Sequence, residues 1–108
     1  MTEARREQMI RIIYRWQVAR DDFAAFQESW EATTNAIHRD VPGALGSFML
    51  REPELPENVL TVARWASIEH WKAFWDDADP EAMKRMRELG TRIAVDVYDE
   101  VDDFTRDV

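Results

Sequence analysis

The chain has 108 residues, of which 45% are hydrophobic and 33% charged, so it can form one domain with a modest core. Its formal net charge of −8 would repel a phosphate backbone, which excludes nucleic acid as a partner. No apolar run approaches the roughly 20 residues of a membrane span, and the charged N-terminus is unlike a signal peptide. We therefore expect a cytoplasmic protein with no membrane contact.

Side chains that bind metals are scarce. The chain has no cysteine, which excludes disulfides, thiolate metal sites and cysteine nucleophiles. Its two histidines, His38 and His70, show no HxxxH or HxxE spacing, so we expect no metal site built by the protein.

The first predicted elements are a strand and a helix. Residues 1–8 are polar and predict a flexible arm. Residues 9–18 alternate, which predicts a strand with one fully apolar face. Asp21 or Asp22 then begins a helix that ends near His38, and His38 is expected to face solvent in the last turn. Its apolar stripe steps by threes and fours and includes Phe26 and Trp30.

The middle of the chain predicts two strands. The Val41-Pro42-Gly43 sequence ends the helix, and residues 44–51 form the second strand, with Leu45, Ser47 and Met49 on one face. Gly46 inside that strand predicts a bulge or a close approach by another group. After a loop with two prolines, the third strand runs from about Asn58 to Ala66.

The stretch from Val59 to Trp75 organises the chain. Thr61 and Trp65 share one face of the third strand. Ser67 begins a helix that places Trp71 and Trp75 on one side, with Phe74 beside them. If this helix folds over the sheet, these aromatic rings either pack as core or line a pocket for a flat organic molecule.

The last predicted elements are a helix and a strand. Asp79-Pro80-Glu81 begins a helix that Gly90 ends, with Ala82, Met83, Met86 and Leu89 facing inward. The fourth strand runs from about Arg92 to Val101, with Ile93, Val95 and Val97 on one face. Residues 99–108 form an acidic tail, expected to be a solvated edge.

The predicted order is β-α-β-β-α(α)-β over a single domain of residues 1–108. It is the order of a ferredoxin-like, split βαβ fold of the α+β class, with helices on one face of a four-stranded antiparallel sheet. The other face carries Met9, Ile13, Leu60 and Val62 and would remain open to water. Because such an apolar surface is unusual for a monomer, we expect a homodimer that packs sheet against sheet.

The first strand, the Val41-Pro42-Gly43 turn and the sequence LTVARWASIEHWKAFW together resemble the antibiotic biosynthesis monooxygenase domain, which has a dimeric α+β barrel fold. The resemblance covers about Met9 to Tyr98. It implies a monooxygenase, since the family includes quinone-forming enzymes that act on aromatic polyketides without a cofactor. It also includes haem-degrading enzymes and members with no known activity.

The haem-degrading branch is the less similar of the two. That branch uses an asparagine, a tryptophan and a histidine where this chain has Tyr14, Phe74, and Met83 or Lys84. Without the usual histidine ligand for iron, haem becomes the alternative cofactor rather than the expected one. His38 or His70 would then have to bind the iron.

The quinone-forming branch matches in part. Trp65 stands where that branch has a tryptophan, while Trp71 replaces its tyrosine and Thr61 its asparagine. An arginine on the later helix of that branch corresponds to Arg85 or Arg87. The resemblance therefore implies an enzyme that needs no cofactor, only molecular oxygen and an electron-rich aromatic substrate.

Such an oxygenase needs a dry slot, a base or hydrogen-bonding group, and positive charge for a developing oxyanion. We expect catalytic roles for Trp65, Trp71, Tyr14, His70 and Arg87, and a substrate-binding wall of Trp16, Thr61, Phe74, Phe26 and Trp30. The same slot would also suit a polyketide cyclase or isomerase, or a binding protein without turnover. The substrate itself is not specified by the sequence.

Overall fold

The sheet is built around its first strand. The computed structural model describes residues 8–77 and 81–105. In it, β1 (Ile10–Gln17) lies between β3 (Asn58–Trp65) and β4 (Thr91–Asp99), and β2 (Ala44–Arg51) pairs with the outer side of β3. Every pairing is antiparallel. The predicted arm, except for Gln8, and the Asp79-Pro80 helix start lie outside the described residues.

Three helices of the described chain cover one face of this sheet. They are α1 (Phe23–Asp40), which a 3₁₀ turn (Arg20–Asp22) precedes, α2 (Ile68–Asp77) and α3 (Glu81–Leu89). The order confirms the predicted α+β, ferredoxin-like split βαβ fold. Asp22 occupies the N-cap position of α1, but its side chain makes no capping hydrogen bond. No helix within the described residues is long and apolar enough to cross a membrane.

The core lies between the helices and the apolar face of β1. As the alternation predicts, the side chains on that face are buried: Ile10, Ile12, Tyr14, Trp16 and Val18. Phe26 of α1 packs edge-on against Trp16 with ring centroids 5.0 Å apart. The helices and the apolar face of β1 therefore pack against each other. Burial of this face is the main contribution of the strand to stability.

Two bulges shift side chains from their predicted faces. In β2, Ala44 opposes Trp65 and Gly46 opposes Arg64, so Leu45 is an extra residue, and the bulge that Gly46 predicted is confirmed. In β4, the register with β1 shifts between Arg15 and Trp16. The prediction that Leu45 shares a face with Ser47, and Ile93 with Val95, was therefore wrong, because each bulge interrupts the strict alternation.

The second face of the sheet, here called the open face, is covered by no helix in the described part of the chain. Phe48, Leu50 and Tyr98 lie on it about half exposed. Near one end, the Glu100 carboxylate accepts hydrogen bonds from Arg64 at 3.0 and 2.8 Å and from Arg11 at 2.7 Å. Those bonds, first from Arg64, lower the pKa of Glu100. The predicted fourth strand ends earlier, at Asp99, and is followed by one more main-chain hydrogen bond, from Glu100 N–H to the carbonyl of Met9.

Gly43 joins α1 to β2 and lies in close contact with the side chain of His70. Its φ is +87°, and a Cβ built there would lie 2.4 Å from Cγ of His70. Its carbonyl accepts a 2.8 Å hydrogen bond from the main-chain N–H of Ala66, just before α2. Gly46 also has a positive φ, of +152°, but a Cβ there would have no neighbour within 4 Å. A larger residue at position 43 would therefore meet both a steric clash and backbone strain, whereas one at position 46 would meet backbone strain alone.

We expect Gly43→Ala to destabilise the fold by about 3 kcal/mol or more, because backbone strain and a clash with His70 act together. Gly46→Ala is the matched control, with strain alone and a loss of about 1–2 kcal/mol. Urea unfolding followed by circular dichroism measures both. Equal losses would show that the His70 contact does not restrict position 43.

Candidate active site

A cavity lies between the helices and the sheet, next to the predicted tryptophans. Its floor comes from β1 and β3, its roof from α1, and its sides from β2, α2 and α3. Its lining includes Tyr14, Trp16, Trp30, Thr34, His38, Ser47, Thr61, Trp65, Phe74 and Met83. Most of this wall is aromatic or aliphatic, as in sites that bind small organic molecules.

The cavity is narrow. With its mouth it encloses about 520 Å³ between atoms, of which about 50 Å³ admits the centre of a water-sized sphere. This volume is enough for a few molecules the size of water, whereas a pocket for a drug-sized ligand measures about 300–1,000 Å³. A planar aromatic guest therefore requires movement of the wall. Met83 and Met86 are unbranched and are the wall residues best able to change conformation.

Two buried hydrogen bonds position the polar atoms of the floor. Trp16 Nε1–H donates to Thr61 Oγ1 at 3.1 Å. Trp71 Nε1–H donates to the Tyr14 hydroxyl oxygen at 3.2 Å. Because the Tyr14 hydroxyl accepts this bond and donates none among the described residues, its hydrogen is available to a guest in the cavity.

Burial raises the pKa of Tyr14, although the hydrogen bond from Trp71 and the charge of Arg92 act in the opposite direction. Tyr14 is therefore a neutral hydrogen-bond donor at physiological pH. Arg92 lies over the Trp75 ring, 4.9 Å from its centroid, and Trp75 stacks on both Tyr14 and Trp71. This arrangement places a positive charge close to the phenol of Tyr14.

The roof carries a group that the sequence analysis expected in solvent. His38 is half-buried and lines the cavity from the last turns of α1. Its ring makes no hydrogen bond to any described residue. One turn earlier, Thr34 Oγ1 and Ser47 Oγ are 3.0 Å apart and bridge the roof to β2. The expectation that His38 faces solvent was wrong, because α1 continues to Asp40 and brings this turn over β2.

Six of the ten predicted site residues line the cavity: Tyr14, Trp16, Trp30, Thr61, Trp65 and Phe74. Two others support it from behind, since Trp71 bonds to Tyr14 and Phe26 packs on Trp16. The remaining two, His70 and Arg87, do not line it. His70 Nδ1 lies 2.7 Å from Ser67 Oγ, where Ser67 begins α2 as predicted.

The sequence analysis missed His38, Arg92 and the Thr34–Ser47 pair. Arg92 opposes Trp16, and so reaches the helix-covered face, because of the bulge in β4. Strict alternation places it on the open face instead. Thr34 and His38 are spaced i and i+4 on α1, and that spacing was the available signal that they share a wall.

The residues present do not fit haem in the way the resemblance describes. Met83, one of two positions aligned with the iron-binding histidine, is buried and lines the cavity. The space that the cavity offers is much too small for a porphyrin. No group of three or more histidine or acidic side chains able to hold a metal ion occurs within residues 8–77 and 81–105.

Comparisons with known proteins agree with this architecture. A family model described as antibiotic biosynthesis monooxygenase matches residues 9–88. The structure of SnoaB, a cofactor-independent oxygenase from Streptomyces nogalater, superposes with a TM-score of 0.72 at 19% identity, covering 92% of this chain and 99% of that one. No curated protein has a matching sequence.

Two further solved structures share the fold. One, a putative antibiotic biosynthesis monooxygenase from Deinococcus radiodurans, has 14% identity and a TM-score of 0.70, covering 92% of this chain and 99% of its own. The other, from Chloroflexus aurantiacus and described in the same words, has 19% identity and a TM-score of 0.68, with coverages of 90% and 97%. At these identities the likeness shows the fold.

We expect Trp71→Phe to raise the pKa of Tyr14 further, because the hydrogen bond that stabilises the phenolate is lost. The chain has two tyrosines, so a Tyr98→Phe background leaves Tyr14 as the single phenol for a spectrophotometric titration. Trp65→Phe is the control, since Trp65 makes no hydrogen bond to Tyr14. A Tyr14 titration that is the same in both variants would contradict the role given to the Trp71 bond.

Proposed function

The chain belongs to the antibiotic biosynthesis monooxygenase family, and we propose that it is a cofactor-independent monooxygenase acting on an electron-rich, polyketide-like aromatic molecule in a secondary-metabolite pathway. The observation that carries this proposal is that Tyr14 of β1 and His38 of α1 both line one largely apolar cavity. Tyr14 offers a hydroxyl hydrogen from the sheet, and His38 of α1 offers an imidazole that makes no hydrogen bond within residues 8–77 and 81–105. The description of SnoaB as a cofactor-independent oxygenase supports the same chemistry.

His38 is the proposed base. A phenol of the substrate transfers its proton to the imidazole, and the resulting phenolate passes one electron to dioxygen. The two radicals combine at a ring carbon to form a peroxide, which loses water. One oxygen atom ends in the quinone and the other in water, whose hydrogens are the phenolic proton and the proton of that ring carbon. Dioxygen is the only oxidant that this balance requires.

Tyr14 and Arg92 have complementary roles in this scheme. The neutral Tyr14 hydroxyl donates to the oxygen that gains negative charge, and Arg92 stabilises that charge through space. Trp16, Trp65 and Phe74 exclude water and hold the ring plane. Arg92 and His38 thus take catalytic roles that the sequence predicted for Arg87 and His70.

The protein is proposed to act as a homodimer. The open face exposes Phe48, Leu50 and Tyr98, and burial of such a surface contributes at about 25 cal/mol per Å² before the cost of association. The Arg11–Glu100–Arg64 cluster lies on this same face, so the interface would contain both apolar and charged groups.

A proton-transfer reaction without oxygen is the second candidate function. The same Tyr14 and His38 pair would move a proton between carbon and oxygen in a cyclase or isomerase. The two functions differ in one measurable quantity, because the isomerase consumes no dioxygen.

We expect the protein to consume one dioxygen per quinone formed when it is given a hydroxyanthrone, with one labelled atom entering the product from labelled dioxygen. An oxygen electrode and mass spectrometry measure the two quantities, and metal chelators should have no effect. Substrate conversion without oxygen uptake would favour the isomerase. Bleaching of added haemin in the presence of a reductant would instead support haem degradation.

We expect His38→Gln to lower kcat by about a hundredfold or more, because the base is lost. Tyr14→Phe should also lower kcat, because the hydrogen-bond donor to the developing oxyanion is lost. His70→Gln is the comparison variant. If it abolishes turnover while His38→Gln does not, the base is His70 and the assignment made here is wrong.

A further inference from the structure

Residues 100–105 form an arm beyond the sheet that leaves two apolar side chains uncovered. Val101 is 87% exposed and Phe104 is 85% exposed. The start of the arm is nevertheless anchored: Glu100 N–H donates to the carbonyl of Met9 at 2.9 Å, and the Glu100 carboxylate binds Arg11 and Arg64. A phenyl ring held in water on an anchored segment indicates a contact surface.

A groove lies at the opposite end of the open face. Residues from all four strands line it, among them Arg15, Leu50, Arg51, Leu60 and Ile93. It offers about 470 Å³ to the centres of water-sized spheres, more than a phenyl ring needs. Leu50 and Ile93 are 49% and 57% exposed there, and Ile93 occupies this position because of the bulge in β4.

The arm cannot fill the groove of its own chain. Asp103 accepts a 3.2 Å hydrogen bond from Arg11 Nη2, and Thr105 N–H donates to Asp103 Oδ1 at 2.8 Å, which turns the arm back at this point. Phe104, between them, is therefore held at the Arg11 end of β1. Arg15 is four residues further along the strand, about 13 Å away.

We propose that the arm of one subunit docks in the groove of a second copy, with Phe104 against Leu50 and Ile93. This inference rests on the homodimer proposed above. Asp102 then approaches Arg15, which already pairs with Asp96, and Glu52 also lines the groove, so burial of apolar surface rather than charge carries the contact. When two open faces pack with their β1 strands antiparallel, the arm end of each lies over the groove end of the other. A two-fold axis makes two identical contacts of this kind.

Disulfide trapping between two labelled populations tests the contact directly, because the chain has no cysteine of its own. One population carries Phe104→Cys and the other Ile93→Cys, each with a different mass tag. After subunit exchange and mild oxidation, we expect the mixed covalent dimer to form and to dominate over either self-paired dimer. The Phe104→Cys population mixed with Glu31→Cys, on the exposed side of α1, is the control and should not cross-link.

Two results of this experiment would overturn the proposal. Self-pairing of Phe104→Cys in preference to the mixed product would show that the arms meet at the two-fold axis instead of entering the grooves. If Phe104→Cys cross-links to Glu31→Cys as efficiently as to Ile93→Cys, the arm has no specific binding position on the second copy.

Sedimentation equilibrium gives an independent measurement. The Val101→Ser/Phe104→Ser double variant should weaken the dimer roughly a hundredfold, since both arms lose apolar burial. Leu55→Ser is the control: Leu55 is apolar and 54% exposed, does not line the groove, and should leave the dissociation constant unchanged. A double variant as tightly dimeric as the wild type would refute arm docking while leaving the homodimer intact. A monomeric wild type would refute both.

Discussion

The structure depends on hydrogen bonds to two polar groups that are buried on an apolar strand face, the indole N–H of Trp16 and the hydroxyl of Tyr14. The helix-covered side of β1 buries both a tryptophan and a tyrosine, and each brings a group that must find a partner away from water. Trp16 finds Thr61 on the neighbouring strand, and Tyr14 finds Trp71 on α2. The first bond joins neighbouring strands in the observed register of β1 with β3, and the second links α2 to the sheet. They also leave the hydroxyl hydrogen of Tyr14 without an acceptor among the described residues, so the packing that stabilises the core leaves a hydrogen-bond donor in the candidate site.

The strength of the hydrophobic periodicity decided which parts of the fold could be predicted. The alternation from Ile10 to Val18 and the tryptophan spacing in α2 each correspond to one physical pattern, and both elements formed where that pattern placed them. Ser67 and Gly46 were also informative, since a cap and a glycine within a strand have few other uses. The wall of aromatic residues followed from these elements, because side-chain direction is determined once strand register and helix face are known.

The missed residues follow from local irregularities that periodicity does not represent. A one-residue bulge in β4 moves Arg92 to the helix-covered face and Ile93 to the open face. The two additional residues at the end of α1 move His38 from a terminal position into the roof of the cavity. Both effects come from tertiary pairing: the bulge is a property of β1 and β4 together, and the helix end depends on how Val41 and Gly43 meet β2. The candidate acid–base and charged groups were therefore the least predictable part of the site.

The contact between Gly43 and His70 has a mechanical consequence for the cavity. The imidazole rests directly on the main chain at the start of β2, and the carbonyl of Gly43 bonds to the residue before Ser67. The N-terminus of α2 is thereby locked to one corner of the sheet and moves only with it. Widening of the cavity around a larger guest must then come from the side where α1 meets α3. The hydrogen-bonded Trp71 and Tyr14 side chains stay in place on the opposite side.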